Sequence, residues 1–161
     1  MRNRDLRRSN ILTWNIRGGR PEDWPAIVEF NRRLALESED KVLDVTVLTS
    51  GVKRLLADPG LGRYFLAEED GHIVAQTMIT YEWSDWRNGM FWWLQSVYVD
   101  KDYRGRGVFA SLYRHIETLA RCDGNICGIR LYVEERNKPA HAVYAAMGLN
   151  TAGYFILEKQ L

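Results

Sequence analysis

Apolar and polar residues alternate along this chain with two different periods, and each period predicts a type of element. Runs with a strand-like pattern cover residues 11–16, 64–68, 73–83, 90–99, 129–133 and 154–157. Apolar residues at helical spacing cover residues 21–37, 48–57, 108–121 and 137–147. The predicted order is β-α-α-β-β-β-α-β-α-β. It indicates an α+β fold with a mixed sheet, because a helix between two strands makes a parallel crossover.

Turn residues support these boundaries. Pro21 is followed by two acidic residues, which favour the positive end of the first helix. Asp58-Pro-Gly ends the second helix, and Asp70-Gly71 predicts a hairpin between the second and third strands. Gly148 stands where a glycine cap closes the last helix.

Composition narrows the class of protein. The 161 residues suit one domain, predicted over 11–161, behind a basic tail over 1–10. Its 22 basic and 21 acidic residues leave a net charge of +1, so no global field favours nucleic acid. No apolar run approaches the ~20 residues that span a bilayer, which argues against a membrane protein.

Cysteine usage favours the cytoplasm. Cys122 and Cys127 fit neither a zinc site nor a disulfide framework. We therefore expect two buried or half-buried free thiols in a reducing compartment, and no metal site.

A glycine-rich loop carries the first chemical signal. A strand ends near Val99, the loop contains Arg104-Gly-Arg-Gly107, and a helix follows at once. Glycines let backbone N–H groups approach a phosphate, and a helix N-terminus adds partial positive charge. The pattern is neither a P-loop nor a Rossmann fingerprint. By itself it indicates either an anion cradle or a solvated turn.

The last predicted helix carries the second signal. Asn137 is a candidate N-cap, and Pro139 fits the first turn. Ala140 and Tyr144 lie one turn apart and share a face, so a phenol stands beside a small residue. A core tyrosine on a closely packed helix would give the same pattern.

Together the two segments resemble the GNAT family, the Gcn5-related N-acetyltransferases. Arg104-Gly-Arg-Gly-Val-Phe109 matches the R/Q-x-x-G-x-G/A loop of that family in all but its last position. Asn137-x-x-Ala140-x-x-x-Tyr144-x-x-x-Gly148 matches its acetyl-CoA helix. The element order also agrees over nearly the whole chain. The departure is Phe109, where glycine or alanine is usual.

The resemblance implies a GNAT-like acyl-CoA N-acyltransferase fold and acetyl-CoA as the acyl donor. It implies that the strand around Val97 is bulged and splayed from the strand near Leu131, which frees backbone groups for the pantetheine arm. The predicted donor-binding residues are Val97, Tyr98, Val99, Arg104, Gly105, Arg106, Gly107, Val108, Phe109, Ala110, Asn137 and Ala140. Tyr144 is the predicted catalytic acid for the departing thiolate.

The acceptor is expected to be a small primary amine that attacks the thioester directly. Its predicted binding residues are Glu37, Glu39, Tyr81, Glu82, Trp83 and Gln95. Carboxylates in this set predict a cationic acceptor. The diamine and polyamine N-acetyltransferases are the most similar branch, although they carry a glutamate where Gln95 stands.

Two other functions stay open from the sequence. One is an acyl-CoA-binding module without turnover, and the other is an RNA-binding module that uses the arginines of the loop. A homodimer is expected from the family resemblance.

Overall fold

A mixed sheet lies between two layers of helices in the computed structural model, which describes residues 14–160. The strands are β1 (Asn15–Gly18), β2 (Arg63–Glu69), β3 (His72–Ser84), β4 (Gly89–Val99) and β5 (Ile126–Leu131). The helices are α1 (Trp24–Glu39), α2 (Val45–Ala57), α3 (Val108–Cys122) and α4 (Lys138–Ala146). Short 3-10 turns precede α1, at Pro21–Asp23, and α3, at Lys101–Tyr103. The basic tail predicted over 1–10 lies outside the described residues.

The sheet follows chain order from β1 to β5. Neighbours from β1 to β4 are antiparallel, and β5 pairs with β4 in parallel. The parallel pair needs a crossover, which α3 supplies. The predicted α+β fold is therefore confirmed, and β4 lies between an antiparallel and a parallel neighbour.

Strand alternation divides the core between the two faces of the sheet. On one face, Tyr64 and Leu66 of β2 pack with Ile27 of α1 and Val52 of α2. On the other face, Phe65 and Ala67 belong to the cluster that contains Leu112 and Ile116 of α3. These faces are called here the α1/α2 face and the α3 face.

Residues 150–160 form no strand, so the strand predicted over 154–157 is wrong. Between 65% and 96% of each of the four apolar side chains at 154–157 is exposed. A strand is stable only when its backbone and one face find partners, and a four-residue pattern does not specify them. The other predicted elements are present, with bounds moved by a few residues.

The cysteines are free, as predicted, but Cys122 is exposed where a buried or half-buried thiol was expected. It closes α3 on the polar side of that helix, where the apolar stripe does not reach. Cys127 is half-buried. Over residues 14–160, no helix is long and apolar enough to cross a membrane.

Candidate active site

The predicted bulge is present in β4. Gln76 pairs with Tyr98 and Met78 pairs with Gln95, so Ser96 and Val97 together oppose a single residue of β3, Thr77. Ser96 has a φ of 50°, in the left-handed region that non-glycine residues rarely occupy. The strand therefore kinks at the point that the family resemblance indicated.

A gap opens beside the bulge. The pairing of β4 with β5 ends at Leu94 and Leu131, while β4 continues to Val99. Within residues 14–160, the last part of β4 therefore has no neighbour on the β5 side. This arrangement gives an extended ligand a free strand edge to pair with.

The glycine loop forms an open cradle before α3. Gly105 and Gly107 have φ values of 72° and 78°, and Gly107 is the N-cap of α3. A Cβ placed on either glycine would meet no atom of residues 14–160 within 4 Å. The amides at the start of α3 are thus open to an anion, and the helix N-terminus favours one there.

Both arginines of the loop already hold carboxylates. Arg104 Nη2 lies 2.7 Å from Glu37 Oε2, and its Nε donates to the Val99 carbonyl. Arg106 Nη2 lies 3.0 Å from Glu69 Oε1. Both arginines are among the predicted donor-binding residues, so a phosphate here would exchange with these carboxylates or share the arginines with them.

Glu37 connects α1 with the glycine loop. Besides Arg104, it accepts a hydrogen bond of 2.9 Å from the Tyr98 hydroxyl and faces Lys101 at 3.4 Å. Burial acts to raise the pKa of Glu37, but Arg104 and Tyr98 outweigh it and lower that pKa. The sequence placed this residue on the acceptor side, whereas the structure places it against the donor loop.

Tyr144 lies against the start of α3. Its ring meets the Phe109 ring edge to face, with centroids 5.7 Å apart. Burial raises the pKa of the Tyr144 phenol, so it stays protonated at neutral pH. Asn137 Oδ1 accepts the Ala140 N–H at 3.2 Å and caps α4 as expected. The aromatic residue that departs from the family pattern thus contacts the predicted acid.

The predicted acceptor residues lie on two faces of the sheet rather than one. Glu82 pairs with Phe91, and Gln95 pairs with Met78, which packs in the α1/α2 cluster. Tyr81 pairs with Trp92 and packs in the α3 cluster. Successive strand residues point to opposite faces, so consecutive residues 81–83 do not form one wall. Trp83 shares the α3 face with Tyr81, while Glu82 and Gln95 share the α1/α2 face.

Glu82 and Gln95 both have partners on that face. Arg130 Nη1 lies 2.8 Å from Glu82 Oε1, and the Trp93 indole N–H also donates to Glu82. Gln95 Nε2 donates to Thr80 Oγ1 at 2.7 Å. Glu39, at the end of α1, is exposed. Of the two carboxylates, Glu39 is therefore the more accessible.

Two residues beside the bulge were missed in the sequence. Gln76 and Thr77 of β3 are fully buried and hydrogen-bond to main-chain carbonyls of β4. The available signal was a pair of polar residues inside the otherwise apolar run over residues 73–79, because buried polar side chains require partners.

A family comparison decides the class of the protein. The model of the acetyltransferase (GNAT) family matches residues 24–149. The chain belongs to the acetyltransferase (GNAT) family. This match confirms the predicted enzyme class, an acetyl-CoA-dependent acetyltransferase. A comparison with proteins of curated function finds no match.

Solved structures agree with the GNAT assignment. A possible acetyltransferase from Clostridium difficile 630 is 47% identical, with 92% of this chain and 97% of that chain covered and a TM-score of 0.87. A predicted acetyltransferase with acetyl-CoA from Clostridium acetobutylicum is 22% identical, with 91% and 96% covered and a TM-score of 0.74. A ribosomal-protein-alanine N-acetyltransferase from Brucella melitensis is 14% identical, with 92% and 99% covered and a TM-score of 0.75. The last two show the fold alone.

Proposed function

We propose that this GNAT enzyme transfers the acetyl group of acetyl-CoA to the primary amine of a small acceptor, by direct attack in a ternary complex. The observation that carries the proposal is the contact between Tyr144 and Phe109. It sets a protonated phenol beside the helix that begins at the open glycine cradle. A phosphate site and a proton donor therefore lie at one end of α3.

The donor side fits acetyl-CoA. The open space over Gly105 and Gly107 admits a pyrophosphate close to the backbone amides. The free edge of β4 beyond Leu94 can accept the pantetheine arm as an added strand. Acetyl-CoA supplies an activated acyl thioester when bound. Among this chain's own groups, the Val97 N–H would donate to the thioester carbonyl oxygen.

The amine has to react in its neutral form. An alkylamine with a pKa of ~10.4 is almost fully protonated at pH 7, and forming the free base there costs ~4–5 kcal/mol. Gln95 cannot remove this proton, because a carboxamide is not basic. We therefore expect kcat/KM to rise with pH until the amine or its base is deprotonated.

Tyr144 is the group that protonates the coenzyme A thiolate as it leaves. A hydroxyl of ordinary tyrosine acidity is already mostly protonated at pH 7, and burial raises the Tyr144 pKa further. The same shift extends the protonated form of the Tyr144 phenol to higher pH, which is the direction in which the amine becomes reactive. No covalent enzyme intermediate is required.

We further propose that the acceptor is cationic, as the polyamine branch would require. Its second ammonium would meet the carboxylates at Glu39 and Glu82, since Glu37 lies against the donor loop. Glu82 already holds Arg130, so an added cation gains less there than at a free carboxylate. We expect a diamine preference of about 5-fold, on the order of 1 kcal/mol.

A matched acceptor series tests this. Thiol release from acetyl-CoA is measured with a diamine, a monoamine of equal length and an amino acid. The proposal predicts the highest kcat/KM for the diamine, and a reduced preference in Glu39→Gln and Glu82→Gln. If the monoamine and the amino acid have the same kcat/KM as the diamine, and neither variant changes the ranking, the proposal of a cationic acceptor is wrong.

The same assay separates an enzyme from a binding module. If acetyl-CoA raises the melting temperature but releases no thiol in the presence of any amine of a broad panel, the protein is an acyl-CoA-binding module. Thiol release that depends on an added amine supports the transferase.

We also propose a homodimer in the cytoplasm. The exposed apolar side chains at 154–157 are of the kind that a second copy covers, and two free thiols suit a reducing compartment. Sedimentation at micromolar concentration tests the dimer, and a species of monomer mass would contradict it.

A further inference from the structure

Two neighbouring side chains of β3 reach the bulge from inside the protein. Gln76 Nε2 donates to the Ser96 carbonyl at 3.3 Å, and Thr77 Oγ1 donates to the Gln95 carbonyl at 3.2 Å. Both residues have no exposed surface. Because both donors are buried, water has little access to them, and such hydrogen bonds hold the acceptor carbonyls firmly.

Gln76 is itself held by a buried relay. Its Nε2 also donates to Asn31 Oδ1 at 2.7 Å, and Asn31 Nδ2 donates to the Tyr64 hydroxyl at 3.2 Å. Nε2 donates both of these bonds to carbonyl oxygens, which can only accept, and this fixes the orientation of the Gln76 amide. α1, β2 and β3 therefore all brace the bulge.

The arrangement carries a cost in stability. Gln76 Oε1 is buried and has no hydrogen-bond partner within residues 14–160. Ser96 in addition holds a left-handed backbone conformation. Buried unpaired groups and such conformations are typical of sites where function maintains them.

Peptide geometry links these carbonyls to the bulge N–H groups. The chain has no cis peptide bond over the described residues. In a trans peptide the C=O and the following N–H point in opposite directions. The bond from Gln76 to the Ser96 carbonyl therefore turns the Val97 N–H away from Gln76. The bond from Thr77 to the Gln95 carbonyl does the same for the Ser96 N–H.

We propose that Gln76 and Thr77 are positioning residues that aim the N–H groups of the bulge at the carbonyl oxygen of the bound thioester. The proposal rests on the proposed function, in which the Val97 N–H donates to that oxygen. Gln76 orients the peptide that carries this N–H, and Thr77 orients the preceding peptide, to which it is joined at Ser96. Neither side chain is proposed to touch acetyl-CoA. Each acts through a backbone carbonyl of β4. The two hydrogen bonds from Gln76 and Thr77 are called here the clamp. Loss of the clamp lets the peptide planes rotate, which weakens a hydrogen bond that catalysis needs.

Thr77→Val is the first test, because it removes the hydroxyl and keeps the shape. Thr77→Ser keeps the hydroxyl and should restore the wild-type behaviour. Thr118→Val is the control, since Thr118 Oγ1 also donates to a main-chain carbonyl, that of Arg114, on the exposed side of α3. Gln76→Leu is the second test, with folding checked by thermal melts.

The readout besides turnover is the infrared stretch of acetyl-CoA labelled with ¹³C at the thioester carbonyl, bound without acceptor. A directed N–H donor shifts this band to lower frequency. We expect Thr77→Val and Gln76→Leu to lose part of the shift and to lower kcat by about 10–100-fold, with Kd for acetyl-CoA within 3-fold. Thr77→Ser and Thr118→Val should keep the shift.

Two outcomes are distinct. If the wild-type protein binds no acetyl-CoA or shows no shifted band, the proposed function fails at the donor site. If the wild-type band is shifted and a folded Thr77→Val or Gln76→Leu protein keeps both the shift and kcat, the clamp is overturned while the proposed function stands.

Discussion

Glu37 Oε2 lies 2.7 Å from Arg104 Nη2, although 67 residues separate the two in sequence. The pair joins the last turn of α1 to the glycine loop before α3. The protein thus supplies its own anion to Arg104, a residue predicted to bind the acyl donor. Binding of the donor and the position of α1 are linked through this contact.

Replacing Glu37 with glutamine should tighten acetyl-CoA binding. The substitution removes the competing carboxylate and leaves Arg104 available to phosphate. The ion pair is partly exposed, so the gain is limited to about 5-fold in Kd. Titration calorimetry measures it, with Glu22→Gln as a control at an exposed position outside the site. Weaker binding by Glu37→Gln would show that the carboxylate orients Arg104 rather than competing for it.

Gly107→Val should abolish thermal stabilisation by acetyl-CoA. A β-branched residue at a φ of 78° is strained, and its side chain would fill the cradle. Gly71→Val is the matched control, since Gly71 has a φ of 79° and equally open surroundings in the β2–β3 turn. Both variants should melt at a lower temperature than the wild type. Only Gly107→Val should lose the rise in melting temperature that acetyl-CoA gives. An equal rise in both variants would show that the glycine loop does not bind the acyl donor.

Phe109→Ala should lower kcat through Tyr144. An edge-to-face aromatic pair contributes about 0.5–1.5 kcal/mol, so losing the contact predicts a fall of about 2–12-fold. The effect should vanish in a Tyr144→Phe background, where no hydroxyl remains to be positioned. An equal loss in both backgrounds would mean that Phe109 acts on α3 alone.

Arg17→Met should destabilise the fold in a pH-dependent way. The Arg17 hydrogen bond lowers the pKa of the buried Asp23 carboxyl below its ordinary value of 3.8. A carboxyl with a lowered folded-state pKa stabilises the protein above its unfolded pKa and loses that contribution as pH falls through the folded value.

We expect a loss of about 1–3 kcal/mol at pH 7, measured by urea unfolding, that shrinks as the pH falls below the ordinary Asp23 pKa of 3.8. Arg32→Met is the control, because Arg32 pairs with Glu29 at an exposed position. A cost that does not change with pH would mean that Arg17 contributes only packing.

The helices and paired strands could be predicted from the sequence because each is fixed by local periodicity and turn residues. The bulge at Ser96 came instead from the family resemblance, since nothing in the strand 90–99 itself indicates a left-handed residue. The predicted strand over 154–157 failed because pairing depends on an edge elsewhere in the fold. Local alternation contains no information about that edge.

The sequence indicated the glycine loop and the shared face of Ala140 and Tyr144, but not the ion pairs and ring contacts around them. Glycine spacing indicated the cradle, and helical spacing brought Ala140 and Tyr144 to one face. The partners of Glu37 and Glu82 depend on arginines 67 and 48 residues away, so a sequence pattern cannot show that these carboxylates are already occupied. The role of Phe109 was equally hidden, because its contact with Tyr144 joins two helices.

The most direct test of acid catalysis by Tyr144 is the rate of thiol release by Tyr144→Phe with the best amine of the panel. This variant keeps the ring against Phe109 and removes only the proton donor. If Tyr144 is the general acid, kcat falls by about 10²–10⁴-fold, the span typical of such a group, while Kd for acetyl-CoA changes by less than 2-fold. A kcat equal to that of the wild type would show that Tyr144 does not protonate the thiolate.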